Sequence, residues 1–166
     1  LSSHIFTDNL YNTQHEEEKM SLLTLFKRNG PSKFGYGSTA EQVTRGLNLT
    51  GKTYLITGCN SGLGLETLRV LSKRGAKIVA LARTVERGQA ALDTYSAEGV
   101  AVACELSEPS SVRACVQHIK DQEITLDAVI CYAGIMALPK LVLNHGYESQ
   151  LFTNHVGHSL LVLGLL

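Results

Sequence analysis

The sequence has no surplus of charge. Fifteen lysines and arginines balance fifteen aspartates and glutamates over 166 residues. Charge therefore gives no argument for nucleic acid or an anionic membrane as a partner. No window reaches the roughly eighteen uninterrupted apolar residues of a spanning helix, so no integral membrane segment is expected. The first residues lack the basic-then-apolar pattern of a secretory signal and run instead through Asp8, Glu16, Glu17 and Glu18. The four cysteines (Cys59, Cys104, Cys115 and Cys131) contain no C-x-x-C pair, which leaves a zinc site or a disulfide framework poorly supported. Reduced, buried thiols in a cytoplasmic protein are expected instead. There is no solenoid-type repeat. A hydrophobic share of 44% and a charged share of 18% belong to an ordinary globular chain long enough for one domain.

What the sequence does have is concentrated between Lys52 and Gly64. Tyr54, Leu55 and Ile56 form a continuous apolar run, as expected of a strand buried on both faces of a parallel sheet. Gly58, Gly62 and Gly64 follow, where the backbone must turn sharply and approach something closely. An amphipathic helix comes next, with Leu65, Leu68, Val70 and Leu71 apolar. A strand feeding a glycine turn that opens a helix presents backbone N–H groups and a positive dipole end to an anion, the geometry that holds a pyrophosphate.

Before this stretch, residues 1–19 read as an upstream, disordered extension, since Met20 is the first methionine and the run is polar and acidic. Residues 21–28 suit a short helix, Asn29 to Gly37 a linker, and Ser38 with Glu41 a capping box for a helix through Arg45. The boundary between extension and domain is placed at residues 35 and 36. After the glycine turn, Gly75 stands where a helix C-terminal cap belongs. Strands are expected over 77–82, 100–104 and 126–131. Helices are expected from the Thr84 cap to about Ala97, and from Ser107-Glu108-Pro109 onward with Val112, Cys115, Val116 and Ile119 on one face. A loop is expected over 133–145 and a last helix over 147–166. This alternation predicts an α/β fold: a Rossmann-type, doubly wound parallel sheet in order 3-2-1-4, with helices on both faces.

The end of the second strand decides the nucleotide such a fold prefers. An acid there bonds the ribose 2′-hydroxyl of NAD, and a basic residue pairs with the 2′-phosphate of NADP. No acid occurs between Gly75 and Val85, whereas Arg83 offers a planar, permanently charged fork. NADP is expected over NAD.

These residues resemble a known family. Thr57-Gly58-Cys59-Asn60-Ser61-Gly62-Leu63-Gly64 is similar to the T-G-x-x-x-G-x-G loop of the short-chain dehydrogenase/reductases. Cys104-Glu105-Leu106-Ser107 resembles the family's Asp-Leu step, with Glu for Asp. Cys131-Tyr132-Ala133-Gly134 resembles N-N-A-G, and Asn154-His155-Val156-Gly157-His158 resembles N-x-x-G-H. The loop 134–139 and the helix 152–158 look most like the retinol-dehydrogenase and protochlorophyllide-reductase-like branch. The resemblance covers residues 36–166. It implies that Gly58, Asn60, Ser61, Gly62, Leu63 and Gly64 line the pyrophosphate and ribose. It places Arg83 and Thr84 at the 2′-phosphate, Glu105 and Leu106 beside adenine, and Ala133 and Gly134 beside the nicotinamide ribose. Asn154 matches the family's catalytic Asn, whose backbone holds a water in a proton relay. The family acts on small alcohol and carbonyl substrates by hydride transfer and commonly forms homodimers through the last helix named here.

The departures matter as much. The family's proton donor is the Tyr of a Tyr-x-x-x-Lys pair, tuned by the neighbouring Lys. None of the six tyrosines here has Lys four residues on. The expectation is therefore an N-terminal, catalytically incomplete portion of an NADP-dependent oxidoreductase, with the C-terminal half of the sheet absent. The alternative is a non-catalytic nucleotide-binding or interaction protein of the same descent. Another Rossmann-like enzyme, such as a methyltransferase, is disfavoured by the missing acid. Tyr132 replaces an Asn that stabilises the central strand end, which puts packing there in question. His155 and His158, three apart, lack a third metal ligand, so no metal is expected. Cys59 is read as a small tolerated residue rather than a redox-sensitive one.

Overall fold

A computed structural model describes residues 30–166. The extension over 1–19 and the helix expected over 21–28 lie outside the described residues. The chain divides into two units, one ending at Val43 and one running from Thr44 to Leu166. The first holds a short helix, α1 (Ala40–Val43). Its capping box is displaced by one residue from the expected pair. Thr39 Oγ1 accepts from Gln42 N at 3.2 Å, and Gln42 Oε1 accepts from Thr39 N at 3.0 Å. Ser38 is taken by the preceding turn, where its hydroxyl accepts from Gly35 N.

The second unit runs β1 (Thr53–Thr57), α2 (Gly62–Lys73), β2 (Lys77–Ala82), α3 (Val85–Thr94), β3 (Gly99–Ala103), α4 (Pro109–Asp121) and β4 (Ala128–Cys131). A two-stranded antiparallel hairpin follows, β5 (Leu143–Asn144) and β6 (Tyr147–Glu148). The last helix is in three parts: α5 (Ser149–Leu151), a π-helical segment (Phe152–Gly157) and α6 (His158–Leu165). The four long strands form one parallel sheet in the expected order, β3-β2-β1-β4, with Ile56 level with Ala80 and Ile130.

Strand periodicity assigns each apolar side chain to a face. Leu55, Val79, Leu81 and Val102 point to the side covered by α4 and α6, where they meet Val112, Cys115, Ile119 and Leu161. Ile56, Ile78, Ala80 and Ala101 point to the side covered by α2 and α3, where they meet Leu68, Ala91 and Leu92. Each large aliphatic side chain so buried favours folding by roughly 1.5–3 kcal/mol. The result is a three-layer α/β unit with β1 and β2 at its centre.

Gly75 ends α2 as expected. At φ +89° it lets Ala76 N donate to Leu71 O and Gly75 N to Ser72 O, the paired bonds of a Schellman turn. The start of α4 differs from expectation. Glu108, not Ser107, is the N-cap residue, and Pro109 opens the helix. Ser107 is drawn away by Glu105, whose carboxylate accepts from both its N–H and its hydroxyl. The loop expected over 133–145 contains the first strand of the hairpin. His145 and Gly146 turn it with φ +50° and +83°, as a two-residue type I′ connection requires.

Candidate functional site

All four parallel strands deliver their C-terminal ends to one edge of the sheet, so the loops after them gather there. They surround a cavity of about 850 Å³. The first loop contributes Gly58, Asn60, Ser61, Gly62, Leu63 and Gly64, and the second contributes Arg83. The third contributes Glu105 and Leu106, and the fourth Ala133 and Gly134. Thr84 does not line it. Its hydroxyl accepts from Arg87 N at 3.4 Å as the cap of α3. Asn154 borders a second, more open depression with Ala133, Gly134, His155 and His158.

The glycine loop is built by close approach. A Cβ on Gly64 would stand 2.2 Å from the Gly58 carbonyl oxygen, and one on Gly58 would stand 2.8 Å from Ala133 Cα. Gly62, at φ +52°, faces open space instead. Ser61 precedes α2 with extended backbone and makes no side-chain cap bond. The first-turn N–H groups of this twelve-residue helix thus have no side-chain cap at the cavity wall, a donor set that suits an anion. Cys59 points the other way. It is fully buried, its thiol donates to Leu81 O at 3.5 Å, and burial pushes its pKa up to about 11. A thiol so disposed forms little thiolate and packs as a small apolar group.

The cavity lining carries one cation, Arg83, and one carboxylate, Glu105. Arg83 is exposed at the end of β2 and makes no ion pair among the described residues. The next acid, Glu86, serves the start of α3. Its own N–H and the Thr84 hydroxyl hold its carboxyl below the usual range. Glu105 is folded back on Ser107, at 2.8 Å from the hydroxyl, while its own N–H donates to Ser111 Oγ. Asn144 Nδ2 donates to Ser107 O at 2.7 Å and ties the hairpin to this loop. Thr153, 7% exposed, also lines the cavity, and its hydroxyl has no partner among the described residues. Ser107, Asn144 and Thr153 are not among the site residues expected from the sequence, where Ser107 is read as the cap of α4. Ser107 directly follows the Glu105 and Leu106 expected at adenine, and Asn144-His145-Gly146 is a turn-forming sequence that could have pointed to Asn144.

A hydrogen-bonded network joins the lining residues Thr57, Tyr132, Ala133 and Ile135 to the last helix. Thr57 Oγ1 accepts from Tyr132 N at 3.1 Å and from Ala133 N at 3.0 Å. It lies 2.8 Å from His158 Nε2, and His158 Nδ1 lies 2.8 Å from Asn154 O. The Asn154 amide forms a two-point pair with Ile135, accepting from its N–H and donating to its carbonyl, both at 2.8 Å. Thr57 therefore holds the strand end that the Tyr132 substitution put in question, and the Tyr132 side chain stands 45% exposed at the cavity. Among the described residues no group of three His, Cys, Asp or Glu side chains is arranged to hold a metal ion. No helix there is long and apolar enough to cross a membrane.

Known proteins are similar to this chain in sequence and in fold. The chain is 37% identical over 142 residues to the short-chain dehydrogenase TIC 32 B, chloroplastic, of Brassica napus, covering 82% of this chain and 44% of that one. It is 33% identical over 153 residues to mouse retinol dehydrogenase 12, covering 88% and 48%. The chain thus spans less than half the length of these relatives. The crystal structure of a metagenomic short-chain oxidoreductase in complex with NADP shares the fold, with a TM-score of 0.60, 24% identity, and coverage of 70% of this chain and 55% of that one. The profile of the short chain dehydrogenase family matches residues 52–162, from the start of the glycine-loop strand into the last helix. With the loop motif, the sheet order and this match in agreement, the chain belongs to the short-chain dehydrogenase family of oxidoreductases.

Proposed function

We propose that this chain is the cofactor-binding portion of an NADP-dependent oxidoreductase acting on an alcohol/carbonyl pair. The observation that carries the cofactor choice is Arg83: a guanidinium on the cavity wall without an ion-pair partner among the described residues, where the neighbouring carboxylates are engaged elsewhere. A 2′-phosphate would be met by this fork and a diphosphate by the uncapped first turn of α2. Leu106 and Glu105 would flank adenine, and Ala133 and Gly134 the nicotinamide ribose. When bound, the cofactor supplies the hydride, and the chain orients it. The proton donor of the family, a Tyr-x-x-x-Lys pair, is not in this sequence, so the chain by itself is expected to be catalytically incomplete. That same absence favours the second reading, a non-catalytic nucleotide-binding or interaction protein of this family. The four free cysteines support a reducing compartment such as the cytoplasm.

Calorimetric titration of the chain with NADPH and NADH tests the cofactor assignment. NADPH should bind more tightly. Arg83→Asp should weaken NADPH by about 10- to 100-fold, the worth of a charge-assisted contact, and leave NADH nearly unchanged. Equal affinity for the two cofactors in the wild type would overturn the NADP assignment. No NADPH oxidation with aldehydes or ketones is expected from the chain alone, and steady turnover would refute its incompleteness.

A further inference from the structure

The contacts around His158 form a closed ring, and the hydrogen atoms in it can be placed by counting. A threonine hydroxyl has two acceptor positions and one hydrogen. The N–H groups of Tyr132 and Ala133 fill both acceptor positions of Thr57 Oγ1. Its third contact, to His158 Nε2 at 2.8 Å, must then use the hydroxyl hydrogen. Nε2 is therefore the acceptor and carries no hydrogen. Nδ1 faces the Asn154 carbonyl oxygen, which can only accept, so Nδ1 carries the hydrogen and donates it. Thr57 is 2% exposed and His158 8%, so water has little access to either.

The ring encloses the loop that the cofactor is proposed to meet. The His158 backbone N–H goes to His155 O, so the imidazole supplies the Asn154 carbonyl with a donor from the position that would serve it in an α-helix. Asn154 then pairs with Ile135, and the chain from Ile135 back to Ala133 returns to Thr57. There is little slack inside. A Cβ on Gly134 would stand 3.1 Å from Asn154 Oδ1, and one on Gly58 would stand 2.8 Å from Ala133 Cα. A small displacement of residues 132–135 would meet either the glycine loop or Asn154. We propose that His158, fixed as its Nδ1–H tautomer between Thr57 and Asn154, is a positioning residue that locks the Tyr132–Ile135 loop against the nicotinamide half of the dinucleotide. The part of this that concerns the dinucleotide rests on the function proposed above.

The ring itself is tested without any cofactor. Long-range proton–nitrogen NMR of the full chain, with labelled histidine rings and His158→Asn to assign the signal, should show the Nδ1–H tautomer at neutral pH. An Nε2–H pattern or an imidazolium pattern would overturn the proposal. The positioning role is tested with two probes, NADPH and 2′,5′-ADP, which lacks the nicotinamide half. His158→Leu should weaken NADPH by about tenfold and 2′,5′-ADP by no more than about twofold, the worth of one or two hydrogen bonds felt at one end only. His158→Asn keeps a donor for Asn154 and should recover part of the loss. Equal weakening of both probes, or no weakening of NADPH in a folded variant, would overturn the positioning role. Should His158→Leu fail to fold, His158→Gln, which keeps an acceptor for Thr57, takes its place with the same expectation. A wild-type chain that binds neither probe would sink the cofactor reading, while the NMR pattern still decides the ring.

Discussion

Asp127 shows how a single side chain sets the register of this sheet. Its N–H donates to Thr53 O, one carboxylate oxygen accepts from Thr53 N at 2.8 Å, and the other accepts from Lys52 Nζ at 2.7 Å. The sequence placed Asp127 within the fourth strand. In the structure it is spent on docking the start of β4 beside β1, and the strand begins at Ala128. The Lys52 ammonium, and then the Thr53 N–H, hold the Asp127 carboxyl below the ordinary aspartate range. A carboxyl with a folded pKa below its unfolded value of about 3.9 stabilises the fold above that value. The contribution is lost as pH falls through the lowered folded value. Urea midpoints of the wild type should therefore fall more steeply than those of Asp127→Asn as pH is lowered past the aspartate range. The difference between the two proteins should shrink at the acid end. The group is exposed and screened, so the effect is small. A gap that stays constant with pH would show that the carboxylate's charge does not matter here.

At the scale of elements, the last helix is the least ordinary part of the molecule. Its π-helical segment brings Gly157 against the loop after β3. A Cβ there would lie 2.3 Å from the Leu106 carbonyl oxygen, a backbone atom that cannot swing away. Gly157→Ala should cost roughly 1–3 kcal/mol in urea unfolding, as overpacking does. Gly164→Ala should cost less, because its new Cβ meets only the Val116 methyl groups, at 3.0 and 3.2 Å. Equal losses would mean that the Leu106 contact is not tight. The contrast also explains what was legible beforehand. The strands could be read because those at the sheet centre are buried on both faces and need continuous apolar runs. The glycine loop could be read because only glycine tolerates the 2.2 Å approach of residue 64 to Gly58. The π segment could not be read, because the side chain that supports it bonds Thr57, 101 residues away in sequence. The two-residue strands of the hairpin carry too few residues to show a period. The caps fall one residue beyond the expected serines because those serines are engaged elsewhere, Ser38 by Gly35 N and Ser107 by the Glu105 carboxylate, which a sequence does not display.

In the unit from Thr44 to Leu166 the parallel sheet ends in two outer strands, β3 and β4. Within the sheet of the described residues β4 is an outer strand whose residues are half-buried or exposed, whereas Leu55, Ile56 and Thr57 of β1 are buried. Beside it α6 turns Leu161 into the core but leaves Leu163 72% exposed. An open strand edge next to an apolar helix face favours association with another copy. Sedimentation of the chain over a range of concentrations should accordingly show reversible self-association. Two contacts compete to explain it, the helix face and the strand edge, and one substitution separates them. Leu163→Glu places a charge on the helix face, outside the core and the cavity of about 850 Å³, at the rim of the open depression beside Asn154. If the helix face is the contact, the variant should dissociate at least about tenfold more readily, since burying one leucine is worth roughly 1.5–3 kcal/mol. If the association constant is unchanged, the contact is a strand edge, β4 or β3, whose backbone groups do not depend on that side chain. A chain that stays monomeric at every concentration would mean that neither surface is sticky enough to pair, despite its exposure.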